Sequence, residues 1–387
     1  MPYRKLTRDE HFTADGPKRI LSLDGGGLRG ILSLGFLSRI ESLLRQRHGN
    51  DQGFRLAHYF DLIAGTSTGA IIAAALAKGL TVEEIAGCYM RIGNEVFKRN
   101  WFRRGIMRPR YDEGALVKHL KTVLGARTRI GDAEVQTGLL IMTKRVDTGS
   151  PWPLGNNPAG LFFRAKETDR WISNADYPLW KVVRASTAAP CFFQPEQITI
   201  AKETGRKLVA GEFVDGGVSP CNNPSLQALM YATLKGYRVG WQTGAERLLL
   251  VSVGTGTSDP SISPSHLAAE GAVKSLMGLM DDCGALVETM MQWFSESPTA
   301  REIDLELGKL EGDLLGGKPL LTYQRYGVSL MPEAVLQLKP GFDRATLESL
   351  PRMDEPRNLA ILRELGDIAA DSQVREEHFP PGFDLAA

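Results

Sequence analysis

FDLIAGTSTGAIIAAALAKGL, from Phe60 to Leu80, is the stretch that decides the fold. It opens on an apolar run, turns through Gly65-Thr66-Ser67-Thr68-Gly69, and continues as the small-residue run Ala70 to Ala77. A bilayer span needs about 20 mostly apolar residues. Asp61, Thr66, Ser67, Thr68 and the glycines interrupt this one, so it reads as a buried strand, a tight turn and a buried helix. G-x-S-x-G in that strand–turn–helix setting is what a nucleophile elbow requires. Gly65 and Gly69 let the chain turn sharply without a Cβ clash. Ser67 then stands at the top of a sheet, near the positive end of the following helix. The competing reading is a glycine-rich turn with a serine cap.

Upstream lies RILSLDGGGLRG, Arg19 to Gly30, a short apolar strand running into a glycine turn. Consecutive glycines allow the N–H groups of Gly25, Gly26 and Gly27 to converge on one point. Such an arrangement can hold the oxyanion of a tetrahedral intermediate, where each preorganised donor contributes about 3–4 kcal/mol. Arg29 could add positive charge or bind a lipid phosphate, or simply pair with a carboxylate and hold the loop. Gly25, Gly27 and Gly30 also match G-x-G-x-x-G, a dinucleotide fingerprint that expects an acid about 20 residues on. Glu41 and Asp51 are loosely available for that rival reading, which leaves the turn at Ser67 unexplained.

A serine nucleophile needs a base. The chain has six histidines: His11, His48, His58, His119, His266 and His378. None sits in a glycine-framed turn after an apolar strand, although His58 lies just before the nucleophile strand. Asp215, in LVAGEFVDGGVSPCNNP, does sit in such a turn, followed by Gly216 and Gly217. Partial burial there would raise its affinity for the serine proton. The plain alternative is an Asp-Gly turn.

Strands are expected at Tyr59 to Ala64, Leu139 to Val146, Leu161 to Arg164, Lys207 to Val214 and Arg247 to Val253. Leu32, Phe36, Ile40, Leu43 and Leu44 mark one apolar helix face that stops near Gly49. Thr81 and Glu84 have capping-box spacing. Strands alternating with helices predict an α/β fold with a largely parallel sheet. Residues 1–17 read as a flexible arm, 18–330 as the catalytic domain and 331–387 as a C-terminal extension packed on it.

The chain has 387 residues and a net charge of +1, so no whole-molecule field draws it to a nucleic-acid polymer. Cys88, Cys191, Cys221 and Cys283 show neither a disulfide framework nor metal-ligand spacing. The polar N-terminus lacks an apolar signal core. A cytoplasmic protein follows, visiting the inner face of the membrane peripherally if it acts on lipid.

DGGGLRG, GTSTG and DGG, in this order and with a wide final gap, resemble the patatin-like phospholipases. VVRASTAAPCFFQP (Val182 to Pro195) and LLLVSVGTG (Leu248 to Gly256) are also similar to family segments. The resemblance covers Arg19 to Thr257 well and the chain to Tyr326 more loosely. It implies a modified α/β-hydrolase sandwich with helices on both faces of a largely parallel sheet. It also implies a Ser67–Asp215 dyad without cofactor or metal, and an oxyanion hole at Gly25, Gly26, Gly27 and Arg29. The implied reaction is hydrolysis of acyl esters, of phospholipid or of neutral lipid. The wider outline resembles the bacterial patatin effectors of cyclic-oligonucleotide antiphage defence (CBASS), which implies a cyclic dinucleotide activator.

Two further segments draw notice. Lys98 to Arg110 mixes cations with Trp101, Phe102, Ile106 and Met107, which suits an anionic membrane or a phosphate-bearing ligand, or a solvated loop. The helical stretch Leu276 to Phe294 is rich in methionine. It suits a lid over the acyl groove, a subunit contact in a homodimer or higher oligomer, or plain core packing.

Overall fold

The computed structural model describes residues 3–97, 111, 113–190, 192–202, 208–258, 268–310 and 312–386, with backbone alone for 268–276. The cationic stretch 98–110, His266 and Cys191 lie outside the described residues. The strands are β1 (Lys18–Leu23), β2 (Leu62–Thr66), β3 (Gly138–Arg145), β4 (Pro151–Gly155), β5 (Glu196–Lys202), β6 (Leu208–Asp215), β7 (Leu248–Val253), β8 (Ser295–Glu296) and β9 (Leu321–Tyr326). They form one sheet in the order β5-β6-β3-β2-β1-β7-β9-β8, with β4 also paired to β3. The strands β3-β2-β1-β7-β9-β8 run parallel, while β4 and β6 lie antiparallel to β3.

The helices are α1 (Arg8–Thr13), α2 (Gly30–Arg47), α3 (Leu56–Tyr59), α4 (Thr68–Ala77), α5 (Val82–Val96), α6 (Glu113–Leu124), α7 (Leu179–Ser186), α8 (Ser225–Thr233), α9 (Ala268–Trp293), α10 (Pro332–Leu338), α11 (Arg344–Ser349) and α12 (Leu359–Gln373). Strand side chains alternate between two apolar layers, as the two-residue period demands. Leu21, Leu23, Ile63, Ile141 and Val251 join a core with α2, α4, α5 and α12. Ile20, Leu62, Leu140 and Leu250 join a second core with α8 and α9. The result is an α/β sandwich with helices on both faces.

The expected strands appear within a few residues at β2, β3, β6 and β7. The exception is Leu161 to Arg164, which forms a turn; Leu161 and Phe162 are half-exposed there. β4 had no clear signal because Pro151 and Pro153 demote it, yet an edge strand tolerates proline. The capping box is formed: Glu84 N–H donates to Thr81 Oγ1, and Thr81 N–H donates to the Glu84 carboxylate at 2.8 Å.

The N-terminal segment, expected to be a flexible arm, is docked where described. Tyr3 and Phe12 are buried, and the Tyr3 hydroxyl meets His58 Nδ1 at 2.9 Å. His11 Nδ1 meets Asp61, which also pairs with Arg19, so the arm is tied to β1 by a buried ionic cluster. Apolar side chains and a satisfied charge outweigh the polar composition that suggested a loose arm. Beyond residue 330, Leu359, Leu362 and Leu365 enter the core around α2. Gly35 and Gly366 set the two helices back to back: a Cβ on Gly35 would lie 2.4 Å from the Gly366 carbonyl carbon.

Candidate active site

Strand register brings the serine and the aspartate together. β2 pairs with β3 as far as Thr66, opposite Met142. β4 occupies the other edge of β3 through Lys144. β6 therefore joins β3 on the β2 edge, end to end with β2, and its last residue, Asp215, pairs with Thr143. Ser67 follows Thr66, so the two strand ends present their side chains to each other. Ser67 Oγ donates to Asp215 Oδ2 at 2.6 Å.

Ser67 stands at φ 55°, a left-handed conformation for a non-glycine residue, between β2 and α4. Such backbone costs about 1–3 kcal/mol and persists only where the surroundings over-determine it. They do so here. A Cβ on Gly65 would lie 2.3 Å from Gly69 O, and one on Gly69 would lie 2.3 Å from Leu23 O, so only glycines allow β1, β2 and α4 this close. Ser67 N–H donates to Ser186 Oγ at 2.8 Å, and Ser186 Oγ in turn donates to Met142 O at 2.6 Å. Ser186 thus anchors the elbow. Its segment was visible in the sequence, but nothing singled out this residue.

Asp215 is 4% exposed. Burial pushes its carboxyl up to about 6, against the opposing pull of the Ser67 hydroxyl, the Gly217 N–H and the Arg184 charge. Gly217 N–H donates to Asp215 Oδ1 at 2.7 Å, leaving Oδ2 for the serine. Gly216 packs directly on Met142 O.

The glycine loop differs in detail from the expectation of three converging donors. Gly25 N–H is engaged with Asn222 O at 3.1 Å, and Gly25 O accepts from Thr255 Oγ1 at 2.8 Å. The N–H groups of Gly26 and Gly27 have no hydrogen-bond partner among the described residues, and both glycines line the cavity at Ser67. Leu28 N–H, next along, donates to Met353 O at 2.7 Å. Tyr89 Oη donates to Gly27 O, and Gly30, the first residue of α2, packs under the Tyr89 hydroxyl. The loop is therefore clamped on both sides of two unspent amides.

Arg29 is 2% exposed and does not line that cavity. Its Nε and Nη1 are buried without a hydrogen-bond partner among the described residues. Burial lowers its affinity for protons, partly countered by the charge of Asp281 on α9. It is thus a buried cation behind the loop rather than a group offered to substrate. Asp24, just before the glycines, forms a two-armed ion pair with Arg325 on β9, at 2.9 and 2.6 Å. Arg325 was not foreseen, because it lies 301 residues away in sequence.

The cavity at Ser67 encloses about 1010 Å³ including its mouth. Leu28, Ile71, Ile92, Phe97, Leu116 and Phe193 make much of its wall, with Met277 and Met280 of α9 also lining it. The methionine-rich helix is thus a wall of this cavity on one side and core on the other, where Met291 is fully buried. Asn222 lines the cavity too.

Among the described residues, no histidine lines this cavity. His58 lies before β2, at the opposite end from Ser67, and burial holds its imidazole down at about 4. Glu41, considered for a dinucleotide site, is buried on α2 and accepts from Val82 N–H. Among the described residues no cluster of three or more His, Cys, Asp or Glu side chains could hold a metal ion.

The patatin-like phospholipase family model matches residues 21–229, which span the glycine loop, Ser67 and Asp215. The chain belongs to the patatin-like phospholipase family. It is 28% identical over 259 residues to a cGAMP-activated phospholipase of Escherichia coli (strain TW11681), covering 66% of this chain and 67% of that one. A cGAMP-activated phospholipase of Vibrio cholerae is 28% identical over 272 residues, with 67% and 70% covered. Patatin-15 of Solanum tuberosum is 26% identical over 296 residues, with 71% and 70% covered. This patatin-like protein is accordingly a serine hydrolase of the phospholipase type. Among its described residues, no helix is long and apolar enough to cross a membrane.

Proposed function

We propose that this patatin-like enzyme hydrolyses carboxylic esters of membrane phospholipids through a Ser67–Asp215 dyad, and that a cyclic dinucleotide switches it on in antiphage defence. The observation that carries the chemistry is the 2.6 Å contact from Ser67 Oγ to a buried Asp215 at the wall of an apolar cavity. Asp215 Oδ2 takes the hydroxyl proton as Oγ attacks the acyl carbonyl. The oxyanion that forms is met by the N–H groups of Gly26 and Gly27, with the N-terminus of α4 and the buried charge of Arg29 adding positive potential. The proton passes to the leaving alcohol as the acyl-enzyme forms. Asp215 then takes a proton from water as the water oxygen bonds to the acyl carbon, and returns it to Ser67 Oγ as the bond from Oγ to the acyl carbon breaks and the fatty acid leaves.

A carboxyl raised to about 6 is still mostly ionised at pH 7, yet a better proton acceptor than an ordinary aspartate. The acyl chain lies along the apolar wall. That wall excludes water and strengthens the polar contacts at the reacting carbonyl. The activation half of the reading is supported by the two relatives named for activation by cGAMP. The protein would reach its substrate from the aqueous side, at the inner face of the membrane.

The test is hydrolysis of phospholipid vesicles by wild type, Ser67→Ala and Asp215→Ala, each with and without cGAMP. Both variants should lose at least about a thousandfold in turnover, and Ser67→Ala should also lose labelling by a fluorophosphonate probe. Near wild-type turnover in either variant removes that residue from the dyad. Equal turnover with and without cyclic dinucleotides points instead to a constitutive esterase.

A further inference from the structure

A second cavity, of about 1030 Å³ including its mouth, lies along the β4 edge of the sheet and shares no lining residue with the one at Ser67. We infer that this cavity is the effector site and that it receives a purine base of a cyclic dinucleotide. The inference rests on the activation half of the proposed function and deepens it.

Its walls suit a flat, polar-edged ring. Phe162, 49% exposed, and half-buried Tyr237 are its accessible rings, while Phe163 and Tyr231 are buried behind them, Tyr231 packing on Tyr237 at 5.0 Å between ring centroids. Stacking on such rings is how proteins hold nucleobases irrespective of backbone. Asn174 is half-buried in the wall, and its carboxamide makes no hydrogen bond among the described residues. A free carboxamide offers one donor and one acceptor face, the pair that matches the N6/N7 edge of adenine. The neighbouring Asn157 is already committed, with Nδ2 donating to Tyr237 O at 2.9 Å and Oδ1 accepting from Ala159 N–H. Cations flank the aromatic walls: exposed Arg164 follows Phe163, and exposed Lys235 and Arg238 bracket Gly236 and Tyr237. They meet the need of the phosphodiesters. A lipid chain would gain nothing from the carboxamide or the cations.

The cavity is also wired to the dyad by strand register. Trp152 lines it and sits opposite Thr143 on one edge of β3, while Asp215 sits opposite Thr143 on the other edge. Thr143 Oγ1 donates to Trp152 O at 3.0 Å. The Trp152 ring packs on Phe213, two residues before Asp215, at 4.9 Å between centroids. A base that moves Trp152 therefore moves the strand that carries Asp215. Occupancy shifts activity by the difference in affinity for the two positions of that strand.

The test uses the full chain, with cGAMP as probe. Binding is measured by titration calorimetry for wild type, Asn174→Ala, Phe162→Ala and Gly236→Trp. Gly236 lines the cavity and a Cβ there meets no atom within 4 Å, so the indole adds bulk at the lining without disturbing the core. Each variant should bind cGAMP at least about tenfold more weakly, the loss expected from removing one stacking or edge contact or from blocking the site. Basal hydrolysis of a short-chain ester should be unchanged, while cGAMP-stimulated hydrolysis of vesicles should move to correspondingly higher cGAMP. Wild-type stimulation with unchanged binding in all three variants overturns the site but leaves the activation reading intact. No binding or stimulation of wild type by cGAMP overturns both.

Discussion

Replacing Asp215 by asparagine should abolish hydrolysis and, at neutral pH, make the protein more stable. Burial raises this carboxyl from 3.8 to about 6. At about 1.4 kcal/mol per tenfold, the charged form costs the folded state about 3 kcal/mol. The sign follows from proton uptake. Between the two values the native state binds more protons than the unfolded chain, so this group's contribution falls as pH rises from about 4 to about 6 and is fully unfavourable above that. Asparagine has the same shape: Oδ1 keeps the Gly217 N–H, and Nδ2 can donate to Ser67 Oγ. It carries no charge to desolvate.

The readout is urea unfolding of wild type and Asp215→Asn in parallel across the pH range. The difference in unfolding free energy should move in favour of the variant by about 2–3 kcal/mol between pH 4 and pH 7.5. Other titrating groups cancel in that difference. In the same interval, wild-type kcat/KM on a soluble ester should rise with a midpoint near 6. A difference that does not change with pH would refute the reasoning, because the carboxyl would then be an ordinary one and its strength as a base would need another source.

Three further outcomes follow from named contacts. Gly26→Ala places a Cβ 2.1 Å from Thr255 Oγ1; the loop must shift, and turnover should fall about a hundredfold or more while circular dichroism stays unchanged. Unimpaired turnover would remove this loop from oxyanion binding. Arg325→Met strands the Asp24 carboxylate and should cost about 3–5 kcal/mol of unfolding free energy, part of which the double variant Asp24→Asn/Arg325→Met recovers; a single variant as stable as wild type argues against a buried ion pair. Vesicle hydrolysis should continue undiminished in excess chelator, and a loss restored by a divalent cation would overturn the metal-free dyad.

Much of this was legible in the chain because the decisive features are local. An apolar run, a turn that only glycines permit and a small-residue helix are encoded within 21 residues, Phe60 to Leu80. The same local logic marked the glycine loop and the turn at Asp215, and it set the alternating α/β layers. Local patterns fail where pairing is non-local. β4, with Pro151 and Pro153, gives no strand signal until it is seen at an edge, and the N-terminal arm reads as loose until His11 is seen against Asp61. Arg325 could not be placed beside Asp24 from either neighbourhood. The glycine loop shows the limit most clearly. Sequence alone offered three equivalent amides, and only the approach of Asn222 from a distant segment decided that Gly25 is engaged and that Gly26 and Gly27 are the two left unspent. The contact between Ser67 and Asp215 is itself a tertiary event. Ser67 and Asp215 were each recognisable, but β6 had to abut β2 along one edge of β3 for a hydroxyl and a carboxylate 148 residues apart to meet.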